Sequence, residues 1–201
     1  MAGCAITGGA ASAILAWAVR GRSSSVFGPS FWRGPRGRRA VALTFDDGPS
    51  ESTPQILDIL ARYNAPASFF QCGANVERLP DVARAVRQAG HDIGNHSHTH
   101  ALFCFRSPRF IEEELRRAQE AIEAHTGARP AWFRAPFGAR WFGVGRAQRR
   151  LELAGVMWTE SAMIGIGGRM RLSSAWPDAF RMALSCAFTM DASFAPGRIS
   201  A

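Results

Sequence analysis

Three groups of residues in this chain have the types and spacing to do chemistry: a pair of aspartates, a run of histidines and an arginine that follows an apolar stretch. Asp46 and Asp47 stand in Thr44-Phe45-Asp46-Asp47-Gly48-Pro49. Adjacent carboxylates resist ionising together unless a cation or an arginine compensates them. The competing interpretation is a solvated turn, because Asp, Gly and Pro are ordinary turn residues. Downstream, His96-Ser97-His98-Thr99-His100 contains three of the five histidines of the chain. On a helical turn His96 and His100 would share a face. With one carboxylate they would make three ligands of a metal site that leaves positions open for water and substrate. His98 would point away, and a polar surface loop is the alternative. Arg134, in Phe133-Arg134-Ala135-Pro136-Phe137-Gly138, could pair with one aspartate and fix it as a carboxylate, although the motif alone is ordinary loop composition.

These groups need elements to bring them together. Val41-Ala42-Leu43, Ala67-Ser68-Phe69-Phe70, His91 to Asn95, Ala131-Trp132-Phe133 and Val156-Met157-Trp158 are short runs that predict strands. Helical patterns lie between them. One starts with Thr53 as cap followed by Pro54. Another carries Val82, Val86 and Ala89 on one face and stops at Gly90. The longest is capped by Ser107-Pro108, with Glu112, Glu113 and Glu114 near its positive end and Ile111, Leu115, Ala118 and Ile122 as its buried stripe. The alternation predicts an α/β fold with parallel strands, either a barrel or an open sheet. Asp46 and Asp47 follow the first predicted strand, His96 the third and Arg134 the fourth. All would emerge at the C-terminal edge of the strands, where βα barrels build active sites.

Length and composition narrow the classes. With 201 residues, 47% of them hydrophobic, the chain can bury a core and is not disordered. The net charge of +8 comes from arginine alone, with no lysine. The arginines are scattered and show no aromatic-interleaved stripe, which argues against a nucleic-acid partner. Cys4, Cys72, Cys104 and Cys186 form no Cys-x-x-Cys pair, so a zinc-thiolate site is not expected. Cys72 and Cys104 stay candidates for a disulfide in an oxidising compartment. Residues 1–22 form a hydrophobic segment of borderline length for a membrane span that could act as an anchor. A poorly ordered tail is the alternative. The arginines that follow favour a cytoplasmic C-terminal side and oppose simple export. Residues 23–39 are expected to be a basic Ser/Gly/Pro-rich linker, 40–158 the catalytic domain, and 159–201 an atypical tail.

Taken in order, Thr-Phe-Asp-Asp-Gly-Pro at 44–49, His-Ser-x-x-His at 96–100 and Arg-x-Pro-x-Gly at 134–138 resemble the polysaccharide deacetylases of carbohydrate esterase family four, the NodB homology domain. The resemblance implies a distorted, here incomplete, (β/α) barrel. It also implies a metal-dependent hydrolase that removes acetyl groups from an N-acetylated polysaccharide or oligosaccharide. Carried over residue by residue, it makes Asp47, His96 and His100 ligands of a divalent metal, usually zinc, with cobalt, nickel or manganese as alternatives. It makes Asp46 the general base and Arg134 the residue that holds Asp46 ionised and oriented. The backbone N–H of Phe137 would stabilise the oxyanion, and Pro136 and Gly138 would line the sugar site. The substrate class implies work in the cell envelope or at the membrane, with the cytoplasm as the alternative.

The resemblance stops after Trp158. Two later family motifs, an Asp-Trp and a Leu-His-Asp whose histidine acts as general acid, are absent. Residues 159–201 contain four of the six methionines and no histidine. A reading-frame shift near Thr159 would account for both losses. Read two bases later, the codons of Ala162-Met163-Ile164-Gly165 permit Asp-Trp, and those of Ser185 to Ala192 permit Leu-His-Asp-Gly. As written, the tail is not expected to supply closing strands. The edge beside Val156-Met157-Trp158 is expected to lie exposed as an aggregation liability, with marginal stability and little or no turnover. A non-catalytic metal- or glycan-binding relative, and a membrane-tethered structural protein, are the competing readings.

Overall fold

The computed structural model describes residues 2–34 and 42–159, and the side chains from residue 9 onward. The proposed frame shift and the tail that follows Thr159 lie outside the described residues. Two compact units are formed. The first holds the described residues up to Ser50 and those from Pro66 to Thr159. The described part of the second is residues 51–65.

In chain order the elements are helix α1 (Ala2–Arg20), strand β1 (Ser30–Phe31), β2 (Leu43–Gly48), α2 (Thr53–Arg62), β3 (Ala67–Gln71), α3 (Gly73–Arg78), α4 (Pro80–Gln88), β4 (Asp92–Asn95), α5 (Pro108–Thr126), β5 (Trp132–Phe133), a 3-10 turn (Pro136–Gly138), α6 (Val144–Leu151) and β6 (Ala154–Val156). The six strands make one all-parallel sheet in the order β2-β3-β4-β5-β6-β1. The predicted α/β class and strand-helix alternation therefore hold. Among the described residues the sheet does not close, in keeping with an incomplete barrel.

Helix α5 shows why the sequence folds this way. Ser107 accepts a hydrogen bond from the Phe110 N–H at 3.2 Å and caps the helix. Gly127, with φ 68°, ends it in the left-handed conformation that glycine tolerates. Ile111, Leu115 and Ile122 are wholly buried, each contributing roughly 1.5–3 kcal/mol. Ile111 and Leu115 face a core shared with Phe103, Phe133, Val144 and Leu153. In the second unit, helix α2 begins at Thr53, so Thr53 is its first residue and Ser52 stands in the cap position.

The N-terminal part packs within the first unit. No described helix is long and apolar enough to cross a membrane. Ala18 and Val19, at the end of α1, are buried against Phe27 and Ala139. The expected linker is packed over residues 23–34. Ser24 and Phe27 are buried, and Ser30–Phe31 pairs with Gly155 and Val156. The edge expected to lie open beside Val156 is therefore covered by β1. Arg140 holds this segment: buried, it donates to the carbonyls of Gly21 and Ser24 and to Ser30 Oγ. A Ser/Gly/Pro-rich stretch looks like a linker in sequence because its hydrogen bonds are made by an arginine more than a hundred residues away.

Candidate active site

The strand β2 carries both aspartates, so they lie within a strand and not, as the motif suggested, in a turn after it. In a regular strand, neighbours point to opposite faces. Here the pairing with β3 shifts register between Phe45 and Gly48, and Asp47 adopts φ 66°. One extra residue on β2 makes a bulge, the usual device for re-aiming side chains beside a site. Asp46 then meets Arg134 while Asp47 meets the histidines. The Asn75 side chain holds the bulge by donating to the Asp47 carbonyl at 2.7 Å.

His96 and His100 do converge, though not through a helical turn. Residues 96–100 form a loop after β4 in which Ser97 (φ 64°) and His100 (φ 57°) are left-handed. Such strained backbone gathers at functional sites, where surrounding bonds over-determine it. Here the His96 N–H donates to the Gln71 carbonyl, Ser97 N–H to Asn95 Oδ1, and the N–H groups of Gly73 and Ala74 to the Ser97 and His98 carbonyls. Asn95 is itself anchored on α5 by the Leu115 carbonyl and Gln119.

Asp47 Oδ1 lies 3.2 Å from His96 Nε2 and 3.0 Å from His100 Nε2. One ligand atom from each of Asp47, His96 and His100 falls within 4.8 Å of the others. The hydrogen bonds from His100 and then His96 hold the Asp47 carboxyl well below the usual carboxylate range. His96 Nδ1 lies 2.8 Å from the Arg134 carbonyl. A carbonyl only accepts, so Nδ1 carries a proton; a hydrogen bond from Nε2 to Asp47 then needs a second proton on the ring, and without it Nε2 offers Asp47 only a lone pair. Lone pairs facing a carboxylate need a proton or a cation between them. The donor set therefore fits a divalent metal with imidazole and carboxylate ligands, zinc included.

Arg134 is buried at the end of β5 and donates through one terminal nitrogen to Asp46 Oδ1 at 2.6 Å and to Thr44 Oγ1 at 2.9 Å. Its guanidinium lies 4.1 Å from the Phe70 ring centroid and 5.4 Å from that of Trp158. Phe137 is left-handed at φ 57° and half exposed, with its ring 4.6 Å from that of His100. Its N–H makes no hydrogen bond among the described residues. Pro136 and Gly138 are buried, and a Cβ on Gly138 would come within 2.9 Å of Trp158. His98 faces away from Asp47, with Nε2 2.7 Å from Arg117. Cys72 and Cys104 are free thiols, not a disulfide. Burial pushes the Cys72 thiol up to about 12, so it offers no nucleophile.

Sequence reasoning missed Thr44, Phe70, Asn75, Asn95 and Glu114. Only Glu114 left a signal: it lies three residues after Ile111, on the buried stripe of α5, where a carboxylate needs a reason.

The model of the polysaccharide deacetylase family matches residues 33–156, and the chain belongs to that family. Among curated relatives, a peptidoglycan-N-acetylglucosamine deacetylase of Bacillus cereus is 37% identical over 106 residues, 52% of this chain and 38% of its own. A chitooligosaccharide deacetylase of Bradyrhizobium is 37% identical over 125 residues, 61% of this chain and 57% of its own. Among solved structures, a pseudoenzyme of carbohydrate esterase family four from Bacillus anthracis superposes with a TM-score of 0.62 at 29% identity, covering 67% of this chain and 48% of that one. The chain thus spans roughly two fifths to three fifths of the length of these relatives.

Proposed function

We propose that this site hydrolyses the N-acetyl amide of an N-acetylated glycan, and that the chain as written turns over slowly because its sequence contains no Leu-His-Asp motif. The carrying observation is the division of labour across the bulge: Asp47 faces His96 and His100, while Asp46 is bound to Arg134.

Asp47, His96 and His100 would hold a divalent cation, with zinc the preferred candidate. When bound, such a cation polarises the amide carbonyl and lowers the pKa of the attacking water. Asp46 takes that water's proton. Arg134 fixes Asp46 in position through one carboxylate oxygen and leaves the other for the proton. The Phe137 N–H donates to the oxygen that gains charge in the tetrahedral state. Pro136 and Gly138 keep the turn that presents this N–H. The leaving amine needs a proton, and no described residue in the site is placed to give it. The curated relatives act on peptidoglycan or chito-oligosaccharides, which supports an N-acetylhexosamine polymer as substrate and the cell envelope as place of work.

The test is acetate release from chito-oligosaccharides and peptidoglycan, with and without zinc. We expect metal-dependent release that is slow in wild type and abolished in Asp46→Asn, with zinc affinity kept in that variant and lost in His96→Ala. Zinc binding with no release from any N-acetylated glycan would favour the second reading, a non-catalytic metal- or glycan-binding relative. The missing general-acid motif speaks for that reading. Turnover as fast as that of a version restored to the other frame would overturn the predicted slowness.

A further inference from the structure

We propose that Glu114 is a positioning residue for the metal-binding loop, a role that rests on the reading of Asp47, His96 and His100 as metal ligands. Glu114 lies on α5 and is only 5% exposed. Its carboxylate accepts the Thr99 N–H at 2.9 Å and lies 3.0 and 3.1 Å from Thr99 Oγ1. No arginine or histidine pairs with it among the described residues, although Glu112 and Glu113 on the same turn both pair with arginines. A buried carboxylate without a cation is costly and persists where its hydrogen bonds are needed. All of these bonds go to one exposed residue, Thr99, which stands between His98 and His100.

The loop explains the need. His96 is fixed by its own N–H on Gln71 and by its ring on the Arg134 carbonyl. Ser97 and His98 are fixed by the N–H groups at the start of α3. His100 has no backbone hydrogen bond among the described residues, yet it holds a left-handed conformation. The Glu114–Thr99 contact is the last anchor before it. Without that anchor His100 can leave the left-handed region, and its Nε2 no longer meets Asp47. Glutamine at 114 has the same length, can accept from the Thr99 N–H and can donate to Oγ1, so the role requires hydrogen bonds and not charge.

The experiment uses the full chain. Zinc affinity is measured by competition with a chromogenic chelator, the visible spectrum of the Co2+-loaded protein reports ligand geometry, and circular dichroism reports folding. E114L should weaken zinc binding by about 10–100-fold, the usual effect of removing a partner that orients a ligand, and should alter the Co2+ bands. E114Q should stay close to wild type, and T99V should fall between them. Wild-type zinc affinity and Co2+ spectrum in folded E114L would overturn the proposal, as would E114Q behaving like E114L. If E114L does not fold, T99V decides, because Thr99 is exposed: affinity and spectrum equal to wild type would overturn the role. Failure of the wild-type chain to bind either metal would instead sink the metal site itself, and the two failures are read separately.

Discussion

Asp46 and Asp47 are chemically identical neighbours with different partners, and the partners decide what each can do. Asp46 is bound to a buried arginine. Asp47 is exposed on its outer side and takes hydrogen bonds from two imidazoles, chiefly His100. A carboxyl whose value is lowered on folding stabilises the native chain above its unfolded value, about 3.9 for aspartate. That contribution is lost as pH falls through the lower, folded value. In the metal-free chain Asp47 should therefore remain charged at pH 4, where an ordinary aspartate is nearly half protonated. Carboxyl carbon NMR across a titration to strong acid checks this, and an inflection near the ordinary value would refute it. Asp47→Asn should remove this part of the acid sensitivity.

The loop 96–100 belongs to no helix or strand, yet it is held by four elements: the ends of β3 and β4, the start of α3 and the inner face of α5. Gly73 is where these meet. A Cβ there would lie 2.4 Å from His98 Nδ1 and 2.8 Å from the backbone of Ala118 on α5. The histidine ring is buried and the backbone is helical, so neither yields cheaply. Gly73→Ala should destabilise the fold by about 1–3 kcal/mol, the range for overpacking, as measured by urea unfolding. It should also weaken metal binding, because the only relief is to shift the loop. A substitution that left both properties unchanged would show that α3 and α5 separate freely, contrary to their close contact.

At the scale of the whole molecule, the N-terminal segment completes the sheet. Strand β1 covers the edge of β6, Gln148 on α6 donates to the Pro29 carbonyl, and Gly155 leaves room for that carbonyl, since a Cβ there would sit 2.6 Å from it. Arg140 joins this segment to the loop that carries Arg134 and Phe137. Burial lowers its pKa, and its compensation comes from carbonyls and a hydroxyl, with no carboxylate partner described. Arg140→Ala should leave two carbonyls without their donor and cost about 2–3 kcal/mol, read from denaturant midpoints. It should also promote aggregation through the released β6 edge. A midpoint unchanged from wild type would mean that β1 is held by its strand pairing alone.

The sequence by itself determined the class and the cast. Alternating apolar runs and capped helical stripes are local patterns, so α/β order and the cap at Ser107 were legible from short windows. So were Asp46, Asp47, His96, His100 and Arg134, because their types and spacing fall at predicted strand ends. Only the tertiary structure decided how they meet. The bulge that turns Asp47 toward the histidines depends on pairing with β3. The left-handed loop that replaced the expected helical turn depends on bonds from α3 and α5. The packing of residues 23–34, misread as a linker, depends on Arg140. Each of these is a contact between residues far apart in the chain, and such contacts leave no periodic trace in the segments they join.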